Sequence, residues 1–514
     1  MYNIEVRHSC IIIHGYKWND NWNIQKMFSI YDKAYHKYYT KCIYYDKDKQ
    51  DLYLPAGLDM GYVISNFGGN VTKKMEADPY DQLMQIKLKS LPRDEDQKKA
   101  IKFCIGKEPF VNNVRAPQIA LNLNTGVGKT YVMIATSAYF SIRTMIIVNT
   151  QGLLEQWRER IKEYTDTDDS QIYDIMGAGS IGRIIKGMIP IKRIRYFLCM
   201  HSTLRHYGTK YGWDKVRELF QTLKCGIKVF DEAHLYFDNI SMIDYFSDTC
   251  RTYYLTATPQ RSDFNENRIY QRAFANVPRI NLYKEELNHT DYVAIKFNSH
   301  PSPEVISNCK NPYGFDRINY MNYLVTTKNY YKLLRMLMED ILQLDGKILI
   351  YIGTNYAIMM TYNWLRYNYS STPVGIYSSI TPKELKEQQL SCKIILSTTK
   401  SCGAAIDIPN LKATVVLDEP FKSVVMARQT LGRTRGQDTL YYDIVDMGFG
   451  ALAYYYKSKR STFKKYAKSV QEISVTDKMM NDFSIAIHQR DMALISQAQD
   501  RQNLKQVMEF VKKD

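Results

Sequence analysis

The sequence predicts an α/β protein in which two parallel sheets, each covered by helices, follow one another along the chain. Three observations carry that prediction. The 514 residues exceed what one hydrophobic core accommodates and correspond to about three domains. Between 115 and 285 the short apolar runs "PQIALNL", "TMIIVNT", "RYFLCM", "IKVF" and "TYYLTAT" alternate with helical or loop sequence, which is the pattern of a parallel sheet. The same alternation returns between 347 and 446 in "KILIYIG", "PVGIYS", "KIILST", "TVVLD" and "LYYDIVD".

Taken in chain order, residues 1–88 read as a small α+β accessory domain. There "YHKYYTKCIYYDKDKQDLYLP" alternates aromatic and polar residues on either side of "DKDK", a β-hairpin ending at Pro55. The stretch "ADPYDQLMQIKLKSLPRDED" is charged and contains prolines, the composition of a linker. The first α/β domain then occupies 89–285 and the second 286–465. From 466 to 514 no strand run occurs, and the spaced apolar positions of "SVQEISVTDKMMNDFSIAIHQRDMALISQAQ" predict a helical tail.

Composition narrows the partner. Net charge is +16 and the isoelectric point about 9.1, with basic residues spread along the whole chain, so a polyanion such as nucleic acid is the expected partner. The nine cysteines are scattered without a CxxC pair, which speaks against a zinc ribbon or a disulfide framework and for a reducing compartment. No apolar run approaches the roughly 18 residues of a membrane span, and "CIIIHG" is too short for a signal-peptide core. A cytoplasmic protein is expected. The 42 tyrosines, interleaved with lysines, suit base stacking and equally suit an AT-rich codon bias; their number alone decides nothing.

Two motifs carry the chemistry. "LNLNTGVGKTYVMIA" follows an apolar strand and opens a helix, as a phosphate-binding loop does. Backbone amides of Asn124, Thr125, Gly126, Val127 and Gly128 would surround phosphate, Lys129 would reach the terminal phosphates and Thr130 would hold Mg²⁺. Leu123 stands where the longer motif has glycine, so the loop is of the shortened TGxGKT kind. About 100 residues later, "CGIKVFDEAHLY" ends an apolar strand in Asp231 and Glu232. Asp231 can bind Mg²⁺ through water, and Glu232 can orient or deprotonate an attacking water, which implies hydrolysis of the nucleotide. "GAGSIG" at 177–182 fits a dinucleotide fingerprint, but no acidic residue follows at the required distance; a flexible loop is the expectation there.

Together these residues resemble superfamily 2 helicases and translocases of the DEAH type, whose other motifs are matched in order. "QKKAI" resembles the adenine-recognising segment, with Gln97 as the contact. "TMIIVNTQGLLEQW" resembles the motif that grips a nucleic-acid strand, and "TAT" at 256–258 the motif that couples hydrolysis to strand contact. "KILIYIGT", "STTKSCGAAIDIP" and "QTLGRTRG" resemble the remaining three, and the resemblance covers 97–435. It implies two tandem RecA-like domains, with ATP and Mg²⁺ bound in the cleft between them. It further implies Asp407 and Arg435 at the nucleotide, and Gln429 and Arg433 in catalysis beside Lys129 and Glu232. Two departures stand out. Ala405 replaces the usual glycine, and the family's second arginine falls at Gly436, so that Arg435 comes one position early.

"YYDKDKQDLYLPAGL" resembles the accessory domain of bacteriophage recombination and repair helicases and related viral helicases. The resemblance therefore implies an ATP-dependent DNA helicase or translocase for recombination, repair or replication. It would be a phage or viral protein in the host cytoplasm, holding DNA, branched or single-stranded, by sequence-tolerant backbone contacts, and a monomer suffices for that work. Two alternatives stay open: an RNA helicase or transcript-release factor, and the DNA-binding ATPase motor of a restriction-type complex.

Overall fold

A computed structural model describes residues 2–18, 22–32, 36–74, 77–107, 117–123, 128–256, 264–282, 290–311, 314–402, 408–417, 430–431 and 439–482. The chain divides into two compact units, Met1–Lys284 and Glu285–Asp514.

The first unit begins with seven short strands: β1 Tyr2–Val6, β2 Cys10–His14, β3 Ser29–Asp32, β4 Lys37–Thr40, β5 Tyr44–Asp46, β6 Asp51–Pro55 and β7 Gly69–Lys73. Five of them form a sheet in the order β5-β6-β2-β1-β7, and β3 and β4 form a separate hairpin. β5 and β6 are the hairpin expected around "DKDK"; Asp46 turns it by accepting from the amides of Asp48 and Lys49. This small sheet shares one core with the α/β domain. Ile11, Ile13, Leu52 and Leu54 belong to the same buried cluster as Phe237, Ile240 and Phe246, and Tyr53 stacks on Phe246.

That α/β domain is a seven-stranded, wholly parallel sheet in the order β10-β11-β9-β12-β13-β8-β14. Its strands are β8 Gln118–Leu123, β9 Thr144–Val148, β10 Ile172–Ile175, β11 Tyr196–Met200, β12 Ile227–Phe230, β13 Arg251–Thr256 and β14 Arg279–Leu282. The central strands are apolar almost end to end because helices cover both faces of such a sheet. The expected linker is an extended strap laid along this domain. Leu83 N–H donates to Ser141 O, Lys89 N–H to Tyr164 O, and Asp81 receives the buried Arg143 guanidinium at 2.9 Å. "GAGSIG" is the start of a helix, Gly177–Ile185, rather than a loop: Ile181 and Ile184 are buried at helical spacing, and Ser180 closes the first turn on Met176.

The second unit holds β15 Thr290–Phe297, β18 Lys347–Tyr351, β19 Val374–Tyr377, β20 Ile394–Ser397, β21 Leu411–Val416, β22 Thr439–Asp446 and β23 Ser469–Ser474. They form a second parallel sheet in the order β19-β20-β18-β21-β22-β15-β23. A two-residue ladder, β16 Lys310–Asn311 with β17 Gly314–Phe315, lies outside it. The tandem parallel-sheet architecture is thus present. The tail differs from expectation. Residues 469–474 form the edge strand β23, paired with β15, and only then does a helix follow at Asp477–Asp482. "SVQEIS" has no buried side chain, so backbone pairing holds the strand, and no apolar run marked it. The tail beyond 482 lies outside the described residues.

Candidate nucleotide site

Parallel sheets present ligand-binding loops at the carboxyl ends of their strands, and the described candidate residues of the first unit gather there. After β8, the helix Lys129–Phe140 starts behind Gly128, whose φ of +90° is a left-handed conformation suited to glycine. A side chain at 128 would also strike Gln97, since a Cβ there would lie 2.5 Å from Gln97 Nε2. Gln97 is buried on the helix Glu95–Cys104. Its amide N–H is held by the Asp94 cap at 2.8 Å, and its side-chain oxygen accepts from Arg93 N at 2.8 Å. Lys129 Nζ donates to Leu123 O at 3.3 Å, so its ammonium sits over the end of β8. Thr130 occupies the first turn of the same helix.

After β12 the chain is pinned on both sides. Asp231 N–H donates to Ile147 O at the end of β9, and Ala233 N–H donates to Leu255 O of β13. Between these anchors Glu232 adopts φ +48°, a left-handed conformation that costs a non-glycine residue about 1–3 kcal/mol. Asp231 Oδ1 accepts from Glu232 N at 2.9 Å, and Asp231 Oδ2 accepts the indole N–H of Trp157 at 2.9 Å. Burial raises the Asp231 pKa to about 6; the Glu232 carboxylate adds to the rise, and Lys129 and the Trp157 indole oppose it. Glu232 Oε2 is buried and has no hydrogen-bond partner among the described residues. It lies 3.5 Å from His234 Nδ1, which is 2.8 Å from Thr256 Oγ1 at the end of β13.

Gln97, Gly128, Lys129, Thr130, Asp231 and Glu232 thus share one end of one sheet. The candidates Asn124, Thr125, Gly126, Val127, Asp407, Gln429, Arg433 and Arg435 lie outside the described residues, as do the last two residues of "TAT". Trp157 is the residue that sequence reasoning placed elsewhere. Within the motif that resembles a strand grip it stands with Leu153 and Leu154, and with Ile161 beyond it, on the buried face of the helix Gln151–Tyr164, where it supports Asp231; at the helix's amino end Gln151 and Gly152 are exposed. The apolar spacing 153, 154, 157, 161 was the available signal. In the second unit, Thr398 caps the short helix that follows it by accepting from Ser401 N, and Thr399 is buried.

The arrangement can hold a magnesium–nucleotide. A carboxylate and a hydroxyl are the hard oxygen donors Mg²⁺ takes, and a lysine and a helix N-terminus suit phosphate. The unpartnered Glu232 oxygen is an acceptor for a water proton.

Residues 90–261 match the family model described as type III restriction enzyme, res subunit. The DNA 3'-5' translocase XPB2 of Sulfurisphaera tokodaii is 31% identical over 142 residues, 27% of this chain and 27% of that protein. The transcript termination protein A18 of Yaba monkey tumor virus is 22% identical over 344 residues, 62% of this chain and 65% of that protein. Among solved structures, Saccharomyces cerevisiae Dbp5 bound to RNA and ADP BeF3 aligns with a TM-score of 0.49 at 13% identity, over 79% of this chain and 93% of its own. The chain spans less than two thirds of the length of the curated relatives it matches.

Proposed function

We propose that this chain, a relative of the superfamily 2 helicases and translocases, hydrolyses ATP and uses the hydrolysis to move along or unwind DNA in recombination, repair or replication. The observation that carries the reading is the constellation at the ends of β8 and β12: Lys129, whose charge opposes the raised pKa of Asp231, and beside them a buried Glu232 oxygen without a hydrogen bond.

In this reading Lys129 and the amides from Asn124 to Gly128 bind the phosphates, Gln97 contacts the base, and Glu232 takes the proton of the attacking water. Thr130 and Asp231 would hold Mg²⁺, which would supply charge to neutralise the phosphates. Asp407 and Arg435 are assigned to nucleotide binding, and Arg433, with Gln429, to the charge that develops on the γ-phosphate, a contribution of 10³ or more in rate. His234 Nδ1 faces both Thr256 Oγ1 at the end of β13, at 2.8 Å, and the Glu232 carboxylate, at 3.5 Å. DNA is held by its backbone, through a chain of net charge +16. Among the described residues no helix is long and apolar enough to cross a membrane. We assign the work to the cytoplasm of a host cell, as a phage or viral protein.

One observation favours a second reading. The similarity that covers most of this chain is to viral transcript termination proteins, which makes release of RNA from a template the alternative activity.

The test is ATP turnover with single-stranded DNA, duplex DNA, forked DNA and RNA, with Lys129→Ala and Glu232→Gln as controls. Forked or single-stranded DNA is expected to stimulate most, with both variants at background. No stimulation by any nucleic acid defeats the proposal, and stimulation by RNA alone promotes the second reading.

A further inference from the structure

The hairpin β3–β4 stands apart from the five-stranded sheet, and every residue of β4 is exposed. A two-stranded ribbon is marginal on its own, and exposed aromatic rings gain nothing from burial. Yet Tyr31, Tyr38 and Tyr39 are 43%, 54% and 43% exposed within nine positions of one another. Tyr31 and Tyr38 are directly paired across the ladder and share a face, with ring centroids 5.0 Å apart. Tyr39 lies on the other face, with Lys37 Nζ 5.9 Å from its ring centroid. Residues 29–41 hold three lysines and one histidine against one aspartate.

The base of this hairpin is fixed to the catalytic domain. Lys41 N–H donates to Phe28 O, Cys42 N–H to Asp238 Oδ1 at 2.8 Å, and Tyr245 OH to Cys42 O at 2.7 Å. Asp238 opens the helix Phe237–Tyr245, which follows the DEAH tetrapeptide directly, and its other oxygen accepts from Arg205 at 3.0 Å. Beside Arg205, Tyr236 is 45% exposed and its ring stacks on His201 at 4.2 Å. Tyr236 thus stands exposed immediately before the helix to which the base of the hairpin is bonded.

We propose that the Tyr31–Tyr38 face of this hairpin is a stacking platform for unpaired bases of a nucleic-acid strand. Aromatic rings accept any base by its π-face, which is the chemistry of sequence-tolerant single-strand binding. The inference rests on the nucleic-acid reading above and adds the site at which the strand is stacked.

The experiment uses the full chain and single-stranded oligonucleotides, DNA and RNA in separate arms. Affinity is read from 2-aminopurine fluorescence, and the contact is mapped by 5-iodouridine photocrosslinking. Tyr31→Ala/Tyr38→Ala is expected to weaken binding by about 10- to 100-fold and to remove the crosslink to residues 29–41. Tyr31→Phe/Tyr38→Phe should keep both. Turnover without nucleic acid should not change. If the alanine pair melts earlier but binds the strand as wild type does, the rings are only a cross-strand pair and the proposal fails. It fails equally if the alanine pair alters self-association instead of strand binding. A wild type that binds no strand overturns this proposal and the function together; a wild type that binds and crosslinks at the hairpin without stimulated turnover overturns the motor alone.

Discussion

Trp157 donates its indole N–H to Asp231 Oδ2 at 2.9 Å from a fully buried position, so one side chain of the helix Gln151–Tyr164 orients the carboxylate assigned to Mg²⁺. The amino end of that helix, with Gln151 and Gly152 exposed, is where the family resemblance places the nucleic-acid strand. In the proposed function, strand contact and metal binding would thus be joined by a single helix.

Trp157→Phe removes the donor while keeping an aromatic ring. A hydrogen bond to a charged group contributes about 1.5–3 kcal/mol, so the Mg²⁺ dependence of turnover should shift to roughly 10- to 100-fold higher concentration. Mn²⁺ binding followed by electron paramagnetic resonance reads the same loss without catalysis. If the melting temperature falls but neither titration moves, the indole only fills space.

Legibility from sequence followed burial. Most interior strands were visible because a strand covered on both faces must be apolar along its length, as "TMIIVNT" and "KIILST" are, whereas the interior strand β15, "TDYVAIKF", was not among the runs read from sequence. β23 was invisible because an edge strand can be polar and still satisfy its backbone, and "SVQEIS" reads like a helix surface. Lys129, Asp231 and Glu232 were legible because their motifs are contiguous. The Trp157–Asp231 bond and the contact of Gln97 with Gly128 were not, because each joins residues brought together only when the strands order themselves β9-β12-β13-β8.

A second prediction concerns pH. His201 is buried, stacked on Tyr236 and next to Arg205, and burial first, then that guanidinium, lower its pKa from 6.5 to about 4. Below 6.5 the unfolded chain takes up a proton that the folded chain refuses, so stability is lost as pH falls from 6.5 toward 4. Between pH 7 and 5 the loss should be about 2 kcal/mol from this residue. Urea denaturation at the two pH values, for wild type and His201→Gln, measures it; equal losses in both proteins would remove His201 as the cause.

The buried ion pair Lys228–Asp244 gives a third. Nζ and Oδ1 are 2.6 Å apart, Ser247 accepts from the same ammonium, and Tyr254 OH donates to Asp244 Oδ2 at 2.5 Å. Asp244→Ala leaves a buried cation unmatched and should cost about 3–5 kcal/mol. Lys228→Met/Asp244→Leu, which removes both charges, should recover much of that loss in the same melts. A double variant as unstable as the single one would mean that the carboxylate matters for Tyr254 rather than for Lys228.

The last prediction separates the two arginines of "QTLGRTRG". Thr430 and Leu431 are buried, with Thr430 Oγ1 2.8 Å from Tyr441 OH, and β22 begins at Thr439; both arginines lie outside the described residues. By the resemblance, Arg433 takes the position of the family's first arginine, and Arg435 comes one residue before the second. Arg433→Ala should lower turnover at saturating ATP by about 10³ with nucleotide binding retained, because a cation on the γ-phosphate acts mainly on the charge of the transition state. Arg435→Ala distinguishes two arrangements. An equal loss means that both side chains serve one phosphate. Full turnover with weakened strand binding and a smaller salt slope means that Arg433 works alone and Arg435 faces the nucleic acid. Turnover and fluorescent-nucleotide affinity, measured on both variants over a salt series, decide between them; wild-type turnover in Arg433→Ala would remove the second unit's arginine from the chemistry.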